Sequence, residues 1–123
     1  MTIIPNFILK RMYREGSFRR LADGVGFDIV NNLGPGQLSK INGITLNGVT
    51  YSADQIALVW NEERLPAASI TEAEPATFFL NQVITCVILD ESLAEGAYQI
   101  ILDIVSREAG KVTLTVKDTL KPV

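Results

Sequence analysis

The sequence consists of short apolar runs at close spacing, interrupted by Gly, Pro, Asn and Asp, without sustained helical periodicity. The clearest example is the stretch 44–51, in which Asn47-Gly48 separates the triplets Ile44-Thr45-Leu46 and Val49-Thr50-Tyr51. Both turn residues tolerate positive φ, as a type I′ turn requires, so this stretch predicts a tight β-hairpin. The pattern as a whole predicts an all-β fold, an antiparallel, jelly-roll-like β-sandwich that forms one domain over residues 1–123.

Other segments are also predicted as strands from their β-rich composition and alternation. The predicted strands are residues 7–13, 17–21, 26–30, 55–60, one or two within 77–89, 97–106 and 111–117. Residues 22–24 and 107–110 are predicted to connect two hairpins. Residues 61–76 are polar and contain Pro66 and Pro75, so we expect a loop there, with room for a short edge strand. In the strand 97–106, Tyr98, Ile100, Leu102 and Ile104 are expected to share one face.

The chain is apolar for a small domain, with 47% hydrophobic residues and a mean hydropathy of +0.22. Its apolar runs are shorter than the roughly 20 residues that a membrane helix needs, so no membrane partner is expected. A surface covered by a protein partner would explain the excess. In the opening MTIIPNFILKRMYR the basic residues follow the apolar ones, unlike a secretory signal, so we expect a cytoplasmic protein.

The sequence contains no histidine and one cysteine, Cys86. Histidine is the commonest general base and transition-metal ligand, and the Ser-His and Cys-His arrangements depend on it. Cys86 lies in the apolar run ITCVIL, so we expect a buried, inert thiol rather than a nucleophile. No catalytic, cofactor-binding or metal-binding residue is therefore assigned to this chain.

Charge is distributed unevenly along the chain. Residues 1–20 carry five basic residues against Glu15, a balance of +4, and the remainder carries six basic against thirteen acidic residues, a balance of −7. Such an acidic body would repel phosphate, so nucleic acid is not an expected partner. The basic segment has two interpretations: docking on an acidic patch of a protein partner, or an edge strand protected by charge.

Three other groups of residues were considered as sites. The carboxylates of the predicted loops show no facing pair for glycoside hydrolysis and lack the ligand spacing of a calcium loop; they are Glu62, Glu63, Glu72, Glu74, Asp90, Glu91 and Glu95. Gly34-Pro35-Gly36 lacks the Gly-Lys-Ser/Thr of a phosphate-binding loop and is interpreted as a flexible loop. Trp60 fits the core or a partner interface better than a sugar-stacking platform.

Several motifs together resemble a known family. They are Gly16-Ser17-Phe18-Arg19, Gly26-Phe27 at the start of a strand, Gln37-Leu38-Ser39, Ile41, the 44–48 strand and turn, and the late Leu93, Gly96 and Tyr98. In this order they resemble the β-subunit of bacterial C-glycoside deglycosidases over nearly the whole chain. The chain departs from that family at Arg20, where its members tend to have Asn, and in residues 31–37, where they often carry an aromatic and basic loop.

The resemblance implies a division of labour between two subunits. The family's α-subunit is similar to sugar-isomerase TIM barrels, holds a divalent metal, expected to be Mn²⁺, and cleaves the carbon–carbon bond of a 3-oxo-C-glycoside such as a flavonoid derivative. The β-subunit is a small sandwich that packs on the barrel. The resemblance therefore implies an accessory subunit in a hetero-oligomer, with no cofactor on this chain and the substrate at the partner's site.

Two other function classes stay open: a stand-alone carbohydrate- or ligand-binding sandwich, and a self-contained hydrolase. For the accessory subunit, the basic segment, the early motif and the loop predict the surface that meets the partner. The predicted interface residues are Phe18, Arg19, Arg20, Asn31, Asn32, Leu33, Gly34, Pro35, Gly36, Gln37 and Trp60.

Overall fold

A computed structural model describes residues 4–122, and it is 55% strand and 11% helix. The helical segments are α1 (Asn6–Leu9) and three 3₁₀ turns, Lys10–Met12, Ala53–Gln55 and Ala67–Ser69. The strands are β1 (Arg19–Leu21), β2 (Gly24–Val30), β3 (Gly36–Leu46), β4 (Val49–Tyr51), β5 (Ile56–Trp60), β6 (Glu63–Pro66), β7 (Ala76–Phe78), β8 (Val83–Ile88), β9 (Gly96–Ser106) and β10 (Gly110–Leu120). Residues 1–3 and 123, which the single-domain prediction includes, lie outside the described residues. No described helix has the length and apolar character needed to cross a membrane.

The strands form two sheets. Sheet I has the order β1-β2-β8-β5-β6, and sheet II has the order β10-β9-β3-β4, with β7 paired to the beginning of β3. The strand pairings are antiparallel. The prediction of an all-β antiparallel sandwich is therefore confirmed.

The core lies between the inner faces of the two sheets. Sheet I contributes Phe27 of β2 and Ile88 of β8, and sheet II contributes Ile44 of β3 and Ile100 of β9, all of them almost fully buried. Along β9 and β10 the buried residues alternate, as predicted for Ile100, Leu102, Leu114 and Val116. This alternation places one row of each strand in the core and the other on the outer face.

The predicted hairpins are present. Asn47 and Gly48 have φ of 48° and 84° and connect β3 to β4, as a type I′ turn requires. Residues 107–109 connect β9 to β10. The β1–β2 turn is one residue shorter than predicted, because Leu21 pairs directly with Gly24. The expected short edge strand within residues 61–76 is β6.

The prediction of a strand over residues 7–13 is wrong, because this segment forms α1 and the following 3₁₀ turn. Pro5, at φ −59°, precedes the first helical residue. Leu9, at the end of α1, is buried, and so is Tyr13, which follows the 3₁₀ turn in an extended conformation and pairs with Ile29. The segment lies along β10, where the Asn6 side-chain oxygen accepts a hydrogen bond from the Thr115 N–H at 3.4 Å. The basic segment is therefore helical at Lys10 and Arg11, whereas Arg19 and Arg20 lie on β1, an edge strand of sheet I.

The predicted loop at residues 31–37 ends earlier than expected. Gly36 and Gln37 belong to β3, where they pair with Phe78 and Thr77 of β7. The prediction of a flexible loop is therefore wrong for Gly36, and the irregular segment comprises residues 31–35.

Candidate functional site

A cavity of about 340 Å³ lies between the two sheets, at the end of the sandwich where β3 begins and β9 ends. Sheet I lines its interior with Ile29, Leu58, Ile84 and Cys86, and sheet II with Leu38, Ile41, Phe78, Leu102, Ile104 and Val112. These side chains are apolar, so the interior offers van der Waals contact and no charge. Ile4 and Met12 of the N-terminal segment also line the cavity.

The mouth of the cavity is formed by residues 31–37 and by Glu108 and Ala109 of the β9–β10 turn. The Asn31 side-chain amide donates to the backbone oxygens of Gly34 at 2.8 Å and Phe79 at 3.1 Å. The Gln37 N–H donates to Glu108 Oε1 at 2.8 Å. These bonds stabilise the irregular segment. They also mean that the Asn31 amide and the Gln37 N–H already have hydrogen-bond partners within the chain.

Three large apolar side chains near this mouth are exposed: Leu33 at 45%, Phe79 at 64% and Leu80 at 53%. We call them the apolar rim. The bonds of Asn31 to Gly34 and to Phe79 keep the segments that carry these side chains at the same end of the sandwich. Sequence reasoning missed Phe79 and Leu80, although strand alternation after the buried Phe78 would have placed Phe79 on the outer face.

Residues 31–37 of the predicted interface lie together at the mouth. Trp60 is close to them, because its ring packs edge-on against Phe78, with centroids 5.1 Å apart and an interplanar angle of 76°. Trp60 is half-buried and packs against the core. The structure therefore brings the loop and Trp60 to the same region of the sandwich.

The early motif lies elsewhere. Phe18 is only 3% exposed and packs edge-on against Tyr98 at 5.5 Å, so its side chain belongs to the core and not to the surface. Arg19 donates to Asp28 Oδ1 at 3.2 Å, and Arg14 lies 3.6 Å from the other oxygen of the same carboxylate. Asp28 therefore neutralises part of the basic segment.

Arg20 follows Arg19 on β1 and is half-buried. Its Nε has no hydrogen-bond partner within the described residues. The three residues Phe18, Arg19 and Arg20 therefore do not form one exposed surface.

Most of the groups with a shifted pKa belong to two tyrosine–carboxylate pairs. The Tyr13 hydroxyl donates to Asp118 at 2.6 Å, and burial followed by this bond raises the pKa of Tyr13. The Tyr51 hydroxyl donates to Asp90 at 2.6 Å, and burial followed by this bond raises its pKa to about 12. Hydrogen bonds from Ser92 and then Tyr51 lower the pKa of Asp90. Each pair joins a protonated phenol to a carboxylate, which is a structural arrangement rather than an acid–base pair.

Cys86 is buried at the inner end of the cavity, where burial raises its pKa to about 12. The prediction of a buried thiol is confirmed. Within residues 4–122, no three side chains of His, Cys, Asp or Glu are grouped so that they could hold a metal ion.

The fold and the cavity define the class of this protein: a small antiparallel β-sandwich with an apolar opening at one end. The family model for the N-terminal domain of hydroxymethylglutaryl-CoA reductase matches residues 8–121, and the chain belongs to that family. A search of curated proteins found no match.

Among solved structures, the chain is similar to part of a family 123 glycoside hydrolase from Clostridium perfringens, studied for glycolipid glycan hydrolysis. The identity is 12% and the TM-score 0.35, over 80% of this chain and 21% of that chain. The chain thus spans about a fifth of that hydrolase, and a likeness of this degree carries no functional argument. The resemblance to C-glycoside deglycosidase β-subunits stays a prediction.

Proposed function

We propose that this chain is a non-catalytic, cytoplasmic accessory subunit that docks on a catalytic partner through the cavity end of the sandwich. The observation that carries this proposal is the apolar rim, in which Leu33, Phe79 and Leu80 are exposed beside an organised loop. Large apolar side chains that stay in water are costly, and clusters of them mark interaction surfaces. Aromatic residues such as Phe79 are also enriched at the centres of protein interfaces.

The side chains that could carry chemistry support an accessory role. The thiol of Cys86 is buried and protonated, and Tyr13 and Tyr51 are bound to carboxylates that help to hold loops in place. Asp28 is occupied by Arg19 and by the Thr85 hydroxyl, which donates at 2.8 Å. These groups stabilise the domain, so the proposal places the reaction on a partner.

The specific partner that we propose is the TIM-barrel α-subunit of a C-glycoside deglycosidase. In a 3-oxo-C-glycoside the ketone acidifies the adjacent C–H, so a base on the partner can begin the elimination that breaks the carbon–carbon bond. The divalent metal, which we expect to be Mn²⁺, belongs to the partner and would polarise the ketone oxygen. This chain would contribute a rigid surface and cover the partner's apolar face.

A second candidate follows from the family match. The family is described as the N-terminal domain of hydroxymethylglutaryl-CoA reductase, so this chain would accompany a reductase rather than a lyase. The docking surface would be the same in both cases. Two assays of the purified complex distinguish the lyase from the reductase candidate. One measures cleavage of a 3-oxo-C-glycoside, and the other measures reduction of hydroxymethylglutaryl-CoA.

The docking proposal is tested by co-expression with a TIM-barrel α-subunit of the proposed family, and by affinity purification through a tag on this chain. We expect the double variant Phe79→Ser/Leu80→Ser to weaken the complex at least about tenfold, since buried apolar anchors typically contribute more than about 1 kcal/mol each. The matched control is Val49→Ser, which removes an equally exposed apolar side chain (58%) from the opposite end. Unchanged affinity in the rim variant would contradict the docking surface, and turnover of a glycoside by the isolated chain would contradict the accessory role.

Charge reversal at Arg19 is a poor test of the basic segment. Arg19→Glu would place a second carboxylate beside Asp28, and the loss of stability would obscure any loss of docking. Arg11 is exposed, and its side chain makes no ion pair within the described residues. If the partner surface is acidic, Arg11→Glu should slow association, most strongly at low ionic strength.

A further inference from the structure

The cavity is deeper than a docking surface requires. From its mouth at Pro35 and Ala109 it extends between the sheets as far as Leu58 and Cys86. Both of these residues are buried in the inner face of sheet I. The opening therefore penetrates the core and is not a shallow depression of the surface.

The volume indicates what could fill it. An engineered cavity of about 150 Å³ lined by Leu, Ile and Phe stays dry and binds benzene. The cavity here, at about 340 Å³, is roughly twice as large and falls in the range of natural ligand pockets. A single phenylalanine or leucine inserted by a partner would fill less than half of it, so a side chain is a poor match in size.

The chemistry of the lining restricts the occupant further. The inner wall carries aliphatic side chains together with Phe78 and the thiol of Cys86. A charge buried there would lose its hydration without compensation. At the mouth, the Asn31 amide and the Gln37 N–H already have partners within the chain. Among the described residues, those that line the interior carry no charge with which to bind an anion, and Glu108 at the mouth is acidic.

We propose that the cavity is a binding site for one small, neutral, apolar molecule about the size of a two-ring aromatic. The ligand lies between the sheets, and any polar substituent stays at the mouth beside residues 31–37. Binding fills space that the described residues leave empty and supplies van der Waals contacts there. The site belongs to this chain alone and does not depend on the proposed partner.

The test uses the full chain and the neutral two-ring probe 6-propionyl-2-(dimethylamino)naphthalene, whose fluorescence rises in an apolar environment. We expect saturable binding of one probe per chain, with competition by naphthalene. Val112→Trp places an indole in the cavity from β10, and Ala109→Trp places one at the mouth from an exposed turn. Each should weaken probe binding at least tenfold, whereas Val49→Trp, at the opposite end, should leave it unchanged.

The outcomes separate the cavity from the surface. The proposal is overturned if Phe79→Ser/Leu80→Ser loses probe binding while Val112→Trp retains it, because the probe would then lie on the apolar rim. The absence of saturable binding would also overturn it. If Val112→Trp does not give a cooperative thermal transition, Ala109→Trp decides the question.

A complex with the partner, if one forms, provides a separate control. Probe binding that persists in the complex supports the small-molecule site. Displacement of the probe by the partner would assign the cavity to a partner side chain, which refutes this inference while leaving the docking proposal intact.

Discussion

Replacing Tyr13 by Phe should reveal how strongly the N-terminal segment is bound to the sandwich. Tyr13 is 6% exposed, and its hydroxyl donates to Asp118 Oδ2 at 2.6 Å. A hydrogen bond to a charged group contributes about 1.5–3 kcal/mol, and the ring contact with Phe27, at 5.6 Å, is retained. We expect Tyr13→Phe to lower the free energy of unfolding by about 2 kcal/mol, which corresponds to a Tm lower by about 6–10 °C for a chain of this length.

Asp118→Ala is the complementary change. The same Asp118 oxygen also accepts bonds from the backbone N–H groups of Gly16 at 3.1 Å and Phe18 at 3.4 Å, so its loss should cost about 3–4 kcal/mol. Stability is measured by urea unfolding followed by Trp60 fluorescence. The double variant Tyr13→Phe/Asp118→Ala should be no less stable than Asp118→Ala, because the bond that Tyr13→Phe removes is already lost. The coupling energy between the two residues is then about 2 kcal/mol. The control is Tyr98→Phe, which removes an exposed bond to the Ala94 carbonyl and should cost at most about 1 kcal/mol. A coupling energy below about 0.5 kcal/mol would refute the reasoning.

Three further predictions concern stability. Glu62 has a φ of 64° in an exposed two-residue turn that favours Gly, so Glu62→Gly should raise the free energy of unfolding by about 1 kcal/mol; an unchanged urea midpoint would contradict this. Gly24→Ala should lower the free energy of unfolding by about 2 kcal/mol or more, because a Cβ there would lie 1.9 Å from the Ile88 carbonyl oxygen. A variant with the Tm of the wild type would contradict this prediction. Burial raises the pKa of Cys86 from 9.0 to about 12, so the unfolded thiol ionises first and stability falls as pH rises through this range. Between pH 8 and pH 10 the wild type should lose about 1 kcal/mol more than Cys86→Val, and equal pH profiles would argue against the buried thiol.

The parts of the fold that were predicted from sequence depend on short-range rules. The β3–β4 hairpin follows from Asn47-Gly48, since few other residue pairs accept positive φ at two successive positions. The faces of β9 follow from an alternation that places Tyr98, Ile100 and Leu102 on one side and polar residues such as Gln99 and Asp103 on the other. Both signals act over a few residues, so tertiary packing did not need to be known.

The N-terminal error has a local cause. Phe7, Ile8 and Leu9 are consecutive apolar residues, so neither a two-residue nor a four-residue period stands out over this segment. The structure resolves the ambiguity because β10 presents an edge against which α1 packs, with Asn6 bound to Thr115. This contact and the burial of Leu9 then favour the helix.

The candidate site was predicted in part. Residues 31–35 were identified as a loop because Gly and Pro interrupt the strand pattern there. Their connection to Phe79 depends on the bonds of Asn31, which join segments 48 residues apart. The burial of Phe18 was not predicted, because the facing ring of Tyr98 comes from a distant strand.

The amino-acid sequence by itself determined the all-β class, the Asn47-Gly48 turn, the faces of β9 and β10 and the lack of histidine. Each of these depends on residue type or on neighbours within one strand or turn. The tertiary structure alone decided that Tyr13 meets Asp118 across 105 positions, and that Ile84 of one sheet and Leu102 of the other leave a cavity between them. A cavity is the volume that side chains from two sheets fail to fill, so it depends on how the sheets are placed, which no local pattern specifies.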